Sequence, residues 1–133
     1  MNLFTVITVT YNAEHTLMRT LKSVQEQTYR KIEHIIVDGN STDTTVELIK
    51  QHTTKNTRWI SEKDCGIYDA MNKATAMAKG QYICYLNAGD AFYEKETVEK
   101  LVSTAKKHQH PDILYGETVI VDNKGRFLHN RRL

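Results

Sequence analysis

Short runs of β-branched residues alternate with longer stretches of helical periodicity along most of this chain. The runs predict strands over 4–10, 32–37, 57–61 and 81–86, and the intervening periodicity predicts helices over 14–27, 43–51, 67–79 and 95–107. In the first of these helices, Leu17, Leu21 and Val24 recur on one apolar face. Strands that alternate with helices in this way predict an α/β fold with a mostly parallel central sheet, covered by helices on both faces.

The last part of the chain is predicted to form shorter strands. Residues 113–115 and 118–121 have the composition of strands, and 122–125 have that of a hairpin turn leading into Phe127. With one proline in 133 residues, and neither a repeat nor a low-complexity segment, no linker is indicated. We therefore predict a single domain over residues 1–133.

Composition excludes several classes of protein. Eighteen basic residues against 16 acidic ones give a net charge of +2, without the strong basic bias of nucleic-acid binders. No stretch approaches the about 20 apolar residues that span a bilayer, and the first residues lack a signal-peptide pattern. Cys65 and Cys84 form no C-x-x-C pair and are interpreted as reduced thiols. We expect a cytoplasmic protein, with attachment to the inner face of the plasma membrane left open.

Polar residues follow the predicted strands at the points where ligands bind to parallel sheets. They occupy 10–12, Asp38, 62–66 and 87–90. Each acidic residue also has a purely local interpretation: Asp38 as a turn former, Asp64 as a helix cap, and Asp90 as a loop carboxylate or cap. The dinucleotide-binding, phosphate-loop and nucleophile-elbow motifs are absent from the sequence.

Asp90 has the setting of a ligand for a divalent cation. It ends a short loop after a predicted strand and follows a flexible Gly89. Mg²⁺ and Mn²⁺ prefer oxygen ligands, and Mg²⁺ often takes only one or two protein carboxylates, with substrate phosphates and water completing its shell. A metal held here would neutralise charge on a departing diphosphate. Gly66, at the start of a predicted helix, is a candidate for approach to a phosphate or sugar.

Taken together, these segments resemble the family 2 glycosyltransferases, inverting enzymes of the GT-A fold that use nucleotide-diphosphate sugars. The blocks that carry the resemblance are VITVTYN (6–12), LKSVQEQTY (21–29), VDGNSTD (37–43), SEKD with GIYDAMNK (61–73) and LNAGD (86–90). The fourth block resembles a bacterial branch common among polysaccharide-building enzymes. Asn87 stands where many members of the family have an aspartate, which leaves the metal with one clear carboxylate.

The resemblance implies a Rossmann-like αβα sandwich and a set of site residues. It places the nucleotide at Thr10, Tyr11, Asn12, Asp38, Asp64 and Gly66. The donor sugar and diphosphate would lie near Asn72, Lys73, Asn87 and Gly89, with Asp90 binding Mn²⁺ or Mg²⁺. Asp38 would accept a hydrogen bond from the base. Lys73 also has a local interpretation, because Asp69 and Lys73 are four residues apart and can form an ion pair on the helix surface.

The resemblance further implies sugar transfer with inversion, from a nucleotide-diphosphate donor with UDP as the expected carrier. The acceptor would be a saccharide or a lipid-linked molecule in cell-surface polysaccharide synthesis. The general base of this family lies in the second half of the catalytic domain, and neither Glu117 nor Asp122 matches its expected position. We therefore expect a GT-A domain truncated at its C-terminus, without its acceptor half, in which exposed apolar surface favours self-association.

Three alternatives remain open. The chain could be a non-catalytic nucleotide-binding or regulatory module that lacks the general base. A sugar nucleotidyltransferase would need a glycine-rich basic loop after the first strand, whereas residues 11–14 contain neither glycine nor a cation. A flavodoxin-like interaction domain would leave the positions of Asp38, Asp64 and Asp90 as coincidence.

Overall fold

The computed structural model describes residues 3–131. The strands are β1 (Phe4–Thr10), β2 (Ile32–Asp38), β3 (Thr57–Ser61), β4 (Tyr82–Tyr85), β5 (Thr118–Val121) and β6 (Phe127–Arg131). The helices are α1 (Leu17–Gln25), α2 (Thr45–His52), α3 (Ile67–Met77) and α4 (Thr97–Lys107). The chain separates into two compact units, the first ending at Glu99 and the second beginning at Lys100.

A four-stranded parallel sheet forms the centre of the first unit, in the order β3-β2-β1-β4. Every residue of β1 and β2 is buried, as expected for central strands covered on both faces. On one face, Ile7 and Ile35 pack with Ala70 of α3. On the other, Ile36 packs with Leu21 of α1 and with the helix α2. Successive side chains of a strand point to opposite faces, so the predicted three-layer α/β architecture is confirmed.

The strand register brings the carboxyl ends of the sheet together. Thr10 lies opposite Asp38, and Asp38 lies opposite Ser61. Beyond β4, the Leu86 N–H donates to Ile7 O at 2.8 Å and the Ala88 N–H donates to Val9 O at 3.2 Å. The loop after β4 therefore starts beside the end of β1.

The second unit contains an antiparallel pair of strands, β5 and β6. The predicted hairpin turn is confirmed: Asp122 Oδ1 accepts hydrogen bonds of 2.9 Å from the Lys124 and Arg126 N–H groups. The strand predicted over 113–115 is wrong. Ile113 and Tyr115 are 79% and 84% exposed, and this segment pairs with no strand among residues 3–131. Strand propensity alone does not form a strand without a neighbour to accept its hydrogen bonds.

Membrane crossing is not indicated by the helices. Between residues 3 and 131, none combines the length and apolar character that crossing a bilayer requires.

Candidate functional site

Asp38 is fully buried at the end of β2 and its carboxylate is held by three donors. The Ser41 N–H and the Ser61 hydroxyl donate to Oδ2 at 2.9 and 2.7 Å, and the Ser41 hydroxyl donates to Oδ1. A carboxylate has about four acceptor positions, so most of its hydrogen-bonding capacity is used within the protein. The local interpretation of Asp38 as a turn former is thus realised. Its contact with a nucleotide base stays a prediction.

Asn12 joins the loop after β1 to the loop after β2. Its backbone is left-handed (φ 46°), its N–H donates to Ser41 Oγ at 2.9 Å, and its Oδ1 accepts from the Thr42 N–H at 2.8 Å. Two residues on, Glu14 Oε2 accepts from the side chain and N–H of Thr44 at 2.7 and 3.0 Å. These bonds hold the pKa of Glu14 below its usual range, and the bond from the Thr44 side chain has the largest effect. The side-chain oxygen of Asn12 therefore fixes the distance between two loops that bear predicted site residues.

A cavity of about 230 Å³ opens where the loops after β1 and β3 meet the start of α3. Its lining residues are Val9, Thr10, Tyr11, Asp64, Gly66, Ile67 and Ala70. Tyr11 is 62% exposed, so much of this residue is open to solvent. A methyl group on Gly39 would lie 2.9 Å from Asp64 Oδ2 and 3.5 Å from Tyr11 Cδ2. Two strand-end loops therefore line a largely apolar cavity with one carboxylate, and Gly39 of a third loop packs against two of its lining residues.

Asp64 and Asp69 order the start of α3. Asp64 Oδ1 accepts from the Gly66 N–H at 2.9 Å, and Asp69 Oδ2 accepts from the Cys65 N–H at 2.9 Å. The bond from Cys65 is the main reason that the pKa of Asp69 lies below its usual value. The helix cap predicted for Asp64 is wrong: Gly66 is the N-cap of α3, this N-cap has no side-chain capping hydrogen bond, and the Asp64 carboxylate instead holds the turn before the helix. Asp64 also lines the cavity. Its role beside a nucleotide stays a prediction, as does the approach of Gly66 to a phosphate.

Lys73 ties the loop before α3 to the body of the helix. Its Nζ lies 3.1 Å from Glu62 Oε1 and 3.4 Å from Asp69 Oδ2, and it donates to Lys63 O at 3.2 Å. The hydrogen bond to Glu62 is the first cause of its raised pKa. The pairing of Asp69 and Lys73 expected from their spacing is confirmed. A role for Lys73, or for the exposed Asn72 beside it, near a diphosphate stays a prediction.

Asp90 lies in a tight loop beyond β4. Its N–H donates to Asn87 O at 2.9 Å, and Gly89 before it adopts a φ of 100° that side chains rarely allow. The Asp90 side chain is exposed, and no residue from 3 to 131 pairs with its carboxylate. Within the same range, no three His, Cys, Asp or Glu side chains gather as a ready-made metal site. A cation here would depend on substrate oxygens as well as on Asp90.

Two buried polar side-chain atoms in the described chain have no hydrogen-bond partner, and both lie at this edge of the sheet. They are Thr10 Oγ1 at the end of β1 and Asn87 Oδ1 just beyond β4. Buried polar groups are almost always paired, so unpaired ones call for an explanation. Both residues were predicted site residues. The oxygen of Asn87 and the carboxylate of Asp90 are the hard donors that Mg²⁺ and Mn²⁺ prefer, so the residues present fit the implied metal.

Sequence reasoning missed several residues that build this site. Ser41 and Ser61 hold Asp38, and Thr20 of α1 holds the Asp90 loop. Ser41, three residues after Asp38, has the spacing of a local turn contact, a signal that could have been used. Thr20 lies inside a helix, where no sequence pattern marks its partner.

A parallel sheet with polar residues gathered beyond its carboxyl edge is the arrangement of α/β proteins, a class in which ligands generally bind at the strand ends. The profile of Glycosyl transferase family 2 matches residues 5–133, and the chain belongs to that family. This match confirms the family resemblance seen in the sequence. It also confirms the predicted enzyme class, glycosyltransferase.

Curated relatives are glycosyltransferases of greater length. A PGL/p-HBAD biosynthesis glycosyltransferase of Mycobacterium tuberculosis is 31% identical over 121 residues, covering 89% of this chain and 47% of the relative. Chondroitin synthase of Escherichia coli is 30% identical over 122 residues, covering 90% of this chain and 18% of that enzyme. The chain therefore spans about half the length, or less, of these relatives.

Solved structures share the fold. Residues 1–349 of S. aureus TarS in complex with UDP-GlcNAc give a TM-score of 0.76 at 26% identity, covering 82% of this chain and 32% of that one. The mannosyltransferase PcManGT from Pyrobaculum calidifontis, in complex with GDP-Man and Mn²⁺, gives 0.71 at 27% identity, covering 78% and 32%. The predicted GT-A fold is confirmed by this likeness.

Proposed function

We propose that this chain forms the donor site of a glycosyltransferase that takes a sugar from a nucleotide-diphosphate carrier, with UDP as the carrier. The observation that carries the proposal is the pair of unpartnered buried atoms, Thr10 Oγ1 and Asn87 Oδ1. Thr10 ends β1, and Asn87 lies just beyond the end of the adjacent strand β4. Together they mark the edge of the sheet where a polar ligand would satisfy both.

The nucleoside occupies the cavity beside Tyr11 in this proposal. The apolar lining from Val9, Ile67 and Ala70 suits the faces of a flat ring, and the exposed ring of Tyr11 supplies a stacking surface. Asp64 and Thr10 line the same cavity and would supply its polar contacts. Asp38 lies directly beneath the loop 39–41, and it either orders that loop for the base or exchanges one Ser41 bond for a bond to the base.

The diphosphate lies toward the Asp90 loop. Asp90 and Asn87 would hold Mn²⁺ or Mg²⁺, and when bound the ion supplies positive charge that stabilises the departing diphosphate. Asp90 can take part without losing any contact within residues 3–131, since its carboxylate pairs with none of them. Gly89 allows the loop to turn so that this carboxylate faces solvent.

The second substrate is a saccharide or a lipid-linked acceptor, and transfer proceeds with inversion. These assignments are supported by family membership and by the names of the relatives, among them a chondroitin synthase. A lipid-linked acceptor would bring the protein to the inner face of the plasma membrane. No residue of this chain is assigned as the general base.

Calorimetric titration of UDP into the purified chain tests the donor site. We expect binding with Mn²⁺, weaker binding with a chelator, and discrimination against GDP. Asp90→Ala should remove the gain due to Mn²⁺, while Glu47→Ala, which removes an exposed carboxylate from α2, should not. Absence of nucleotide binding under every condition would overturn the proposal. UDP binding without transfer, when acceptor is supplied, would favour the non-catalytic module instead.

A further inference from the structure

A stripe of polar side chains on α1 and just beyond its C-terminal end holds the loop that carries Asp90 through hydrogen bonds. Thr20, Ser23 and Gln27, at helical spacing, bond to successive points of the chain between residues 87 and 98. Thr20 is fully buried and Gln27 is 3% exposed. This stripe lies beside the apolar face that the sequence predicted for the helix.

The Thr20 hydroxyl makes the contacts nearest to Asp90. It accepts from the Gly89 N–H at 2.9 Å and donates to Asp90 O at 2.7 Å. A hydroxyl has one hydrogen to donate, and the Asn87 oxygen is farther, at 3.4 Å, so Asp90 is its main acceptor. One side chain thus fixes the backbone on both sides of the Gly89–Asp90 peptide.

Ser23 and Gln27, the other two residues of the stripe, form hydrogen bonds further along the loop. Ser23 Oγ accepts from the Phe92 N–H at 3.3 Å. Gln27 donates through Nε2 to Glu94 O at 2.9 Å and accepts at Oε1 from the Val98 N–H at 3.0 Å. At the other end of the loop, Thr8 Oγ1 donates to Leu86 O at 2.8 Å. The loop is therefore held at its start by the fully buried Thr8, around Asp90 by the fully buried Thr20, and at its far end by Gln27.

We propose that Thr20 is a positioning residue that orients Asp90 toward the metal-bound diphosphate. This inference rests on the proposed donor site. Partners that orient a metal ligand typically account for 10–100-fold in metal affinity. Thr20 acts through the Gly89–Asp90 backbone, so its removal should weaken the part of UDP binding that depends on metal and spare the part that does not.

The test compares UDP affinity, with Mn²⁺ and with chelator, for Thr20→Val, Thr20→Ser and the wild-type chain. Valine keeps the shape and removes the hydroxyl, and we expect about tenfold weaker binding with Mn²⁺ and unchanged binding with chelator. Serine restores the hydroxyl and should restore most of the affinity. The control Ile49→Val trims a buried side chain of α2 and should change neither affinity.

Equal affinity of Thr20→Val and wild type in Mn²⁺ would overturn this inference alone, as would equal losses with and without metal. Should Thr20→Val not fold, Ser23→Ala replaces it, since it removes one neighbouring contact from a half-buried position. A selective loss of metal-dependent affinity is then expected, and unchanged affinity would overturn the inference. A wild-type chain that binds no UDP overturns the donor site itself.

Discussion

The Ser61 hydroxyl donates a hydrogen bond of 2.7 Å to Asp38 Oδ2, joining the last residues of β2 and β3 through their side chains. These residues are already opposite one another in the sheet. With two further bonds from Ser41, this contact makes Asp38 the centre of the strand-end structure. Its first role is therefore to order the loops around the cavity.

Asp38→Ala should destabilise the fold. It would leave the Ser41 N–H and the Ser61 hydroxyl without their buried acceptor, at a cost of about 3 kcal/mol in the free energy of unfolding. Urea unfolding measures this change. Asp90→Ala is the matched comparison, since its exposed carboxylate should cost less than about 0.5 kcal/mol. Similar stabilities for the two variants would contradict the structural role given to Asp38.

Gly39→Ala should weaken nucleotide binding with little loss of stability. The new methyl group would lie 2.9 Å from Asp64 Oδ2 and would push this side chain, the end of a short and movable group, out of its place in the cavity. We expect roughly fivefold to tenfold weaker UDP binding and a change in unfolding free energy below about 1 kcal/mol. Gly116→Ala is the control, because a methyl group there meets nothing within 4 Å. Unchanged UDP affinity in Gly39→Ala would place the nucleotide away from Asp64.

Stability should fall with pH because of His34. Burial lowers the pKa of His34 from 6.5 to about 4. Thr8 Oγ1 donates its one hydrogen to Leu86 O, so His34 Nε2 donates to Thr8 Oγ1 at 2.8 Å. With a pKa of about 4, the ring is neutral near pH 7. At pH values between about 4 and 6.5, His34 is protonated in the unfolded chain but not in the folded chain. The contribution of neutral His34 to the free energy of unfolding is therefore complete above pH 6.5 and is lost as the pH falls toward 4.

Urea unfolding between pH 6.5 and 5 should show a loss of about 1.5 kcal/mol from this histidine. Glu33 does not titrate in that pH range. Burial acts to raise the pKa of Glu33, but its hydrogen bonds, of which the one from Thr5 has the largest effect, outweigh burial and lower the pKa. His34→Gln keeps a side-chain donor and should flatten the pH dependence. The same slope in wild type and variant would assign the effect to other groups.

The architecture could be predicted from sequence because hydrophobic periodicity reports local structure directly. Strands β1 and β3 begin and end where the sequence predicted, and every predicted site segment lies at the carboxyl edge of the sheet. The first helix was predicted from residue 14 but begins at Leu17. Glu14 is instead used to accept bonds from Thr44, a contact 30 residues away that periodicity does not report.

Other features depend on contacts between distant segments and left little trace in the sequence. Gly80, which follows α3, is constrained by close packing, because a methyl group there would overlap Thr5 Oγ1. Asn12 was predicted to bind nucleotide, and its side-chain oxygen is bonded to Thr42. The partners of Thr20 are about 70 residues away, so only the folded chain reveals them.

Paramagnetic mapping of the bound metal tests the central claim most directly. Mn²⁺ broadens amide signals of residues near it, and Mg²⁺ serves as the diamagnetic reference in the same titration with UDP. The donor site predicts selective broadening at Gly89 and Asp90 and at the neighbouring Thr10 and Tyr11, with loss of this pattern in Asp90→Ala. Broadening confined to other acidic positions such as Asp122 or Glu47, with Gly89 and Asp90 unaffected, would contradict a metal-dependent donor site at this edge of the sheet.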